Sequence, residues 1–472
     1  MEYGLVINSI SSKNRGLEEE NLYYYRVIFE TKKDLSQSRS SNFQILVLTP
    51  IGLVTILTLI TLTIGTLRIF GSEEGIFRSI FTSLEFWKEG FFSLLAFTLQ
   101  MMMVLTFGFS LAIFRPVNEL LRKLSSKPVN LVQAVFLVSV VSQLAGLLNW
   151  GFGLITGALL ARFVHEALVQ KKQNSNPELL AACGYLGMAV WHGGLSASSL
   201  LSIAESNHGL ENAIGVIPVT ETIFSVQNLM ITLGLVGVFC LTAILIGRKS
   251  SRFFHESSER PMASISKGKG DSLGFWLGIL FLVVILFDLF LGDQKSFSSI
   301  SLNWVIFLLF GLSLLLYRTW DNFLMATKEG LKSSLDIFVQ FPFYGGIMGV
   351  ILGTGLLIDL ANWTASWANE NTFPLFTFYS AALVNFFIPS GGGQWAVQGP
   401  LIIKTAEILE LSFSKMALAF AYGDQISNLL QPFWALPLLS ITGVSVRKLL
   451  PYCLIFFGVG IVFLSLMIWI FL

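Results

Sequence analysis

Apolar runs long enough to cross a lipid bilayer recur along most of this chain, and they decide its solvent. A helix needs about 20 residues to cross the hydrocarbon core. Runs of suitable length and low charge occupy residues 45–67, 91–113, 178–204, 218–246, 273–291, 334–358, 415–443 and 451–472. The shorter run 303–317 reaches that length with its flanks. Only 12% of the 472 residues are charged and 54% are hydrophobic. A water-soluble domain carries roughly twice that charge, and so few charges could not cover the apolar surface. Lipid must therefore be the solvent for much of it. A net charge of +1 offers no footprint for nucleic acid. Cys183, Cys240 and Cys453 lie singly in apolar stretches, without disulfide or metal spacing, and read as small buried residues.

Two further apolar stretches, 131–163 and 375–409, are interrupted near their middles. The first breaks at Asn149-Trp150-Gly151-Phe152-Gly153 and the second at Pro389-Ser390-Gly391-Gly392-Gly393. Glycine and proline there favour a turn over a continuous helix. Both stretches read as re-entrant hairpins, whose irregular tips need protein or a water cavity around them. Lys and Arg concentrate in residues 1–43, 114–130, 162–172, 247–272 and 318–332, whereas 205–217 and 359–372 have none. The positive-inside rule then fits one path. It is an all-α polytopic membrane protein with a cytoplasmic N-terminus, about nine spanning helices and two re-entrant hairpins. No cleavable signal peptide opens the chain. Residues 1–43 form a charged cytoplasmic tail, 44–246 a first transmembrane repeat, 247–302 a cytoplasmic loop and connecting helix, and 303–472 a second repeat. Loop 68–90 strains this path, since it lies outside yet carries Arg68, Arg78 and Lys88.

The halves resemble each other. Lys88-Glu89-Gly90 and Lys328-Glu329-Gly330 are 240 residues apart (328 − 88), and each precedes a span holding Gln100 or Gln340. Tyr185 and Tyr422 are 237 apart (422 − 185), and Asn149 and Asn385 are 236 apart (385 − 149). A shared offset points to duplication. Span 91–113 runs inward on the chosen path while its partner 334–358 runs outward, so the repeat is inverted, with span 273–291 as connector. Inverted repeats with matched broken helices belong to secondary transporters, whose sites lie near the midplane between the repeats.

A broken helix exposes N–H groups carrying partial positive charge, and these hold an anion without a buried cation. Ser390, Gly391, Gly392, Gly393 and Gln394 offer backbone N–H groups, a hydroxyl and an amide for a carboxylate. Asn149, Gly151 and Gly153 supply the opposing wall, with Asn385 just ahead of the second tip. Trp150, Phe152 and Trp395 can enclose an apolar tail. With no Lys or Arg well inside a span, a monocarboxylate fits better than a dicarboxylate. Breaks also occur at Trp191–Ser196 and at Tyr422–Asn428. Asp424, an acid at membrane depth, is a functional candidate that can carry a coupling proton or help bind a cation. His192 can titrate. Ser196 and Asn428 can line the site. Gln100 and Gln340 read as interhelical hydrogen-bond partners.

Four strings together resemble the bacterial short-chain fatty acid transporters. They are Leu148–Leu154, Phe387–Gly393, Gln431–Pro437 and Gln340–Tyr344, and the resemblance runs from about residue 80 to the C-terminus. It implies uptake of acetoacetate, butyrate or a similar small carboxylate across the inner membrane, coupled to Na+ or H+, without a cofactor. It also implies kinship with ion-coupled anion carriers that have paired re-entrant hairpins. Such carriers are often dimers, which makes a homodimer a possible assembly. Two positions depart from the family pattern. His192 stands where glycine is expected, and Asp424 where glutamate is.

Other classes fit poorly. Ser390 lacks the Gly-x-Ser-Gly setting of a rhomboid-like protease. Gly423-Asp424 lacks the preceding glycine and the second acid of an intramembrane aspartyl protease, and no His-Glu-x-x-His occurs. A channel would also line its pore with backbone, but only a carrier gives saturable, gradient-dependent uptake. The topology predicts that single cysteines introduced at 205–217 react with an impermeant thiol reagent from outside the cell. Labelling of 205–217 from the cytoplasm would break the inverted path.

Overall fold

The apolar runs are helical, and the helices stop where Asn, Ser, Gly or Pro gathers. The computed structural model describes residues 50–70, 75–250, 272–291, 300–386, 388 and 390–472. The expected tail 1–43 and most of the loop 247–272 lie outside the described residues. By its contacts the chain divides into Met1–Leu53 and Val54–Leu472, and the second unit carries the helices of both halves. Its first half contains α1 (Pro50–Phe70), α2 (Ile76–Ser93), α3 (Leu95–Ala112), α4 (Arg115–Ser125), α5 (Leu131–Leu148), α6 (Trp150–Gln170), α7 (Pro177–Tyr185), α8 (Ser198–Ser202), α9 (Glu211–Ile214) and α10 (Val226–Lys249). Next come α11 (Leu273–Leu291) and α12 (Leu302–Tyr317). The second half holds α13 (Trp320–Ser333), α14 (Leu335–Gly353), α15 (Leu356–Trp367), α16 (Phe373–Val384), α17 (Gly391–Ile408), α18 (Phe413–Ser427), α19 (Pro432–Thr442) and α20 (Val446–Phe471). The described residues contain no strand.

Caps explain the starts. Asn130, Asn149, Asn176, Ser225, Ser301, Thr319, Ser390 and Ser412 each accept a hydrogen bond from a backbone N–H in the first turn of the helix they precede. Each such cap stabilises its helix by about 1 kcal/mol. Among the described residues, six helices are long and apolar enough to cross a membrane, or seven if the bent pair Trp320–Lys332 and Ile337–Gly353 is one span. Spans assembled from shorter, broken pieces fall outside such a count. Trp276, Phe287 and Phe290 of α11 and Val462 and Trp469 of α20 are exposed, as expected of surfaces facing acyl chains.

Residues 76–90, expected as an outer loop, are helical instead. The exposed face of α2 carries Arg78, Glu85, Lys88 and Glu89, while Ser79, Ser83 and Gly90 are buried. Phe77, Ile80, Phe81 and Leu84 are exposed beside those charges, and the small buried residues let α2 pack closely on α14. Together α2 and α3 form one apolar run, Ile76–Ala112, of 37 residues.

The two halves, of ten and eight helices, share one series of elements in the same order. A helix pair is followed by a short helix, a hairpin, a broken helix and a long closing helix. Helices α6 and α17 begin 241 residues apart (391 − 150), and α3 and α14 begin 240 apart (335 − 95). The contacts repeat too. Helix α2 packs on α14 of the other half, and α13 packs on α3. Helix α6 packs on α3, as α17 does on α14.

The two hairpins are held differently. In the first, α5 and α6 meet backbone to backbone. A Cβ on Gly153 would lie 2.5 Å from the N and Cα of Gly146, and backbone cannot give way. In the second, amides tie the legs. Gln394 donates to the Ala381 carbonyl at 2.8 Å and Gln398 to the Ser380 hydroxyl at 3.0 Å. Thermal unfolding in detergent checks this contrast. Gly153→Ala should lose roughly 1–3 kcal/mol. Gly237→Ala, whose Cβ meets nothing within 4 Å, should lose nothing.

Candidate functional site

Four breaks in the helical ladder converge: Asn149 between α5 and α6, residues 385–390 between α16 and α17, residues 186–197 after α7, and residues 428–431 after α18. Each frees backbone N–H and C=O groups in a buried place, where an unpaired group costs about 1–3 kcal/mol. Side chains from other elements supply the partners. Asn149 caps α6 by accepting from the Phe152 N–H at 2.9 Å, and its amide donates to the Val104 carbonyl of α3 at 3.3 Å. Ser196 accepts from the Trp150 N–H at 2.9 Å. Asn385 donates to the Asp424 carbonyl, Ser427 Oγ and Asn428 Oδ1 at 3.0, 2.8 and 2.9 Å.

The two broken helices satisfy each other. Tyr185 of α7 donates to the carbonyls of Asn428 at 2.8 Å and Gln431 at 3.2 Å. In return Asn428 donates to the Met188 carbonyl at 3.3 Å, and Gln425 Oε1 accepts from the His192 N–H at 3.0 Å. Asn228 of α10 closes the set. It donates to the carbonyls of Gly193 and Ile223 and accepts from Thr232 and Tyr422.

Between the breaks lies a small cavity of about 30 Å³. The first half contributes Met101, Trp150, Met188, Trp191 and Ser198. The second contributes Ile337, Phe341, Ser390, Gly391, Gly392, Asn428 and Trp434. Among the described residues, no lining side chain is charged. Trp150 meets Trp434 edge-on at 5.2 Å between centroids and lies 6.2 Å from Trp191.

The two hairpin tips present different chemistry to this cavity. At the first, Ser196 and Asn149 occupy the N–H groups of Trp150 and Phe152, Gly151 does not line the cavity, and the tip presents the Trp150 indole. At the second, Ser390 Oγ accepts from the Gly393 N–H, while the N–H groups of Gly391 and Gly392 have no protein partner among the described residues. Helix α17 therefore points two free donors and the positive end of its dipole at the cavity. Only glycine permits that approach. A Cβ on Gly391 would lie 2.6 Å from His192 Cε1, and one on Gly392 2.6 Å from Phe97 Cζ.

Of the residues expected at the site, Ser390, Gly391, Gly392 and Asn428 line the cavity. Asn149, Gly151, Gly153, Ser196, Asn385, Gly393 and Gln394 are buried around it and line none of it. Their polar atoms cap helices or tie elements together, and Gly393 presses on Tyr344. The wall opposite the second tip is Trp150, Met188 and Trp191 rather than Asn149, Gly151 and Gly153, because the Asn149 amide turns away toward α3. Phe152 and Trp395 do not line it either. Trp191, Trp434, Phe341 and Met101 were not anticipated. Trp191 adjoins His192, and Phe341 and Trp434 lie inside the strings that carry the family resemblance. Gln100 bonds Asn303 at 2.8 Å, and Gln340 accepts from Tyr344 at 3.1 Å.

His192 and Asp424, flagged separately, are partners. His192 Nδ1 lies 2.8 Å from Asp424 Oδ2, and both side chains are buried. Nε2 lies 3.0 Å from Ser199 Oγ, 3.3 Å from the Ser199 N–H and 3.5 Å from Ser198 Oγ. Trp191 stacks on the imidazole at 4.1 Å and 9°. Asp424 Oδ1 is buried without a partner.

The pattern of the family described as short chain fatty acid transporter matches residues 43–471. A candidate short-chain fatty acid transporter of Escherichia coli K12 is 36% identical over 396 residues, which cover 80% of this chain and 88% of that relative. One from Haemophilus influenzae Rd is 32% identical over 392 residues, covering 78% and 85%. Among solved structures, the YdaH transporter of Alcanivorax borkumensis aligns with a TM-score of 0.51 at 16% identity, over 89% of this chain and 98% of that one. MtrF of Neisseria gonorrhoeae, reported within a class of antimetabolite efflux pumps, aligns with a TM-score of 0.58 at 14% identity, over 90% and 95%. At those identities the two structures speak for the fold alone. The apolar spans make the chain a multi-pass membrane protein, and the extent of the sequence match makes its role transport: it belongs to the short-chain fatty acid transporter family.

Proposed function

We propose that the protein takes up short-chain monocarboxylates such as acetoacetate and butyrate across the bacterial inner membrane, coupled to a cation, by alternating access. The observation that carries this reading is the pair of free N–H groups at Gly391 and Gly392, opening on an uncharged aromatic cavity. A carboxylate there accepts both N–H groups and the Ser390 hydroxyl. Its charge meets the positive end of α17. A buried indole N–H on Trp191, in the facing wall, also lacks a partner. The apolar tail lies among Trp150, Trp434, Phe341 and Met101. No cationic side chain lines the cavity to receive a second carboxylate, which favours one charge over two.

Both halves build the cavity walls, so rocking one half against the other would open it to one side and then the other, as in carriers built from inverted repeats. The buried pair of Asp424 and His192, next to Gly391, suits the coupling role. The N-terminus is placed in the cytoplasm.

Uptake of labelled butyrate into proteoliposomes tests the substrate. It should saturate and be competed by acetoacetate, and Gly392→Val should abolish it in protein that still inserts and elutes as a single species. Normal uptake by Gly392→Val would remove the second tip from the site. Trp434→Ala should raise the KM for butyrate by about 10-fold or more while changing that for acetate, which has the shortest tail, far less. An equal change for both acids would place the tail elsewhere.

A further inference from the structure

We infer that Ser198, His192 and Asp424 form a proton relay opening on the cavity, and that His192 Nε2 takes up one proton with each carboxylate. The inference rests on the transport reading above and adds the coupling ion, its acceptor atom and its path. Ser198 lines the cavity. Its Oγ lies 3.5 Å from His192 Nε2, and the far side of the ring meets Asp424. The protonation state is part of this assignment and is drawn from the bonds. A backbone N–H can only donate, so Nε2 accepts from Ser199 and its lone pair is free of hydrogen. The imidazole is then neutral, and its Nδ1–H donates to an ionised Asp424. The relay then carries no proton at Nε2, whose lone pair faces Ser199 and Ser198.

In this state the dyad carries one negative charge beside the cavity that is to receive an anion. Ring atom Cε1, between the two nitrogens, lies where a Cβ on Gly391 would go, so the charge sits directly behind the carboxylate's N–H donors. Adding a proton at Nε2 converts the pair to imidazolium and carboxylate, with no net charge and its positive member toward the cavity. The stacked Trp191 indole favours the same form. Proton uptake and anion binding therefore assist each other, and linkage makes the effect reciprocal. One proton with one monocarboxylate moves no net charge. An Nε2–H can no longer accept from Ser199 N–H and must donate instead to Ser199 Oγ or Ser198 Oγ. That exchange reshapes the break on which Trp191 and Ser198 sit.

Little else near the dyad can take this proton. Helices α5 and α8 carry no titratable side chain. Tyr422 of α18 donates to Asn228, Tyr379 of α16 bonds Ser465, and Tyr452 of α20 accepts from Asn176. Cys240 of α10 accepts from Gln143, and Cys453 of α20 is buried. The charged residues of the packed helices lie toward their ends: Arg248 and Lys249 on α10, Lys404 and Glu407 on α17, Lys415 on α18, Arg447 and Lys448 on α20.

The test is the initial rate of labelled butyrate uptake in proteoliposomes across a pH series, corrected with protein-free liposomes. Wild type should show a KM that rises about 10-fold per pH unit on the alkaline limb, the slope for one linked proton. An imposed membrane potential should leave its rate unchanged. His192→Gln should flatten the pH profile, and Ser198→Ala should slow proton-driven uptake more than counterflow between loaded states. An unchanged pH slope in His192→Gln, or drive by a sodium gradient in place of a proton gradient, would overturn the relay. If His192→Gln fails to fold, Ser198→Ala decides, and equal slowing of both modes overturns the path. If wild type moves neither butyrate nor acetoacetate, the substrate reading falls, and the relay is judged separately by indole emission. A pH transition that Trp191→Phe abolishes and Ser198→Ala shifts supports it. A transition indifferent to both overturns it.

Discussion

Unpaired backbone at the four chain breaks is the constraint on which the rest of the structure depends. Helices cross lipid because every N–H and C=O is bonded within the segment. This chain interrupts that economy where the cavity lies, and most of its buried amides answer the interruption. Asn149, Asn228, Asn385, Gln425 and Asn428 each bridge a break to another element. The bonds between Tyr185 and the carbonyls of Asn428 and Gln431, and between Asn428 and the Met188 carbonyl, make each broken helix the partner of the other. A change in one break must therefore be felt in its counterpart, which is the kind of two-state element a carrier needs.

The two tips are alike in position, and packing makes them unlike in chemistry. Ser196 and Asn149 close two donors of the first tip and Gly151 stays off the cavity, leaving Trp150 as its contribution. The second keeps two donors open at Gly391 and Gly392. Such a pair divides an amphipathic anion between its ends, the carboxylate on backbone and the tail on indole. A structure with two equally open tips would suit a ligand with two charged ends.

The positions of the breaks were legible because they are local. The helical ladder breaks at Asn149 and just before Gly391, and the glycines of both strings form the first turns of α6 and α17. Loop 68–90 was misread for a local reason too, since the exposed charges of α2 mimic a loop when only their number is considered. The partnership of His192 with Asp424 had no local signal. Each is a lone titratable residue in an apolar stretch, and 232 residues separate them. The same holds for Asn385, which stands beside the second tip in sequence but turns toward α18.

What the sequence determined by itself was the solvent, the helical class, the repeat and the residues at which the helices must break. All of these follow from hydropathy and backbone preference over a few neighbouring residues. Tertiary structure alone decided which groups at those breaks are spent and which are free. Asn149 and Ser196 became caps, Gly391 and Gly392 kept their donors, Trp191 and Trp434 became walls, and His192 met Asp424. Whether a buried polar group is a tie or a site depends on what lies within about 3 Å of it, and that distance is set by helices that cross far apart in the chain.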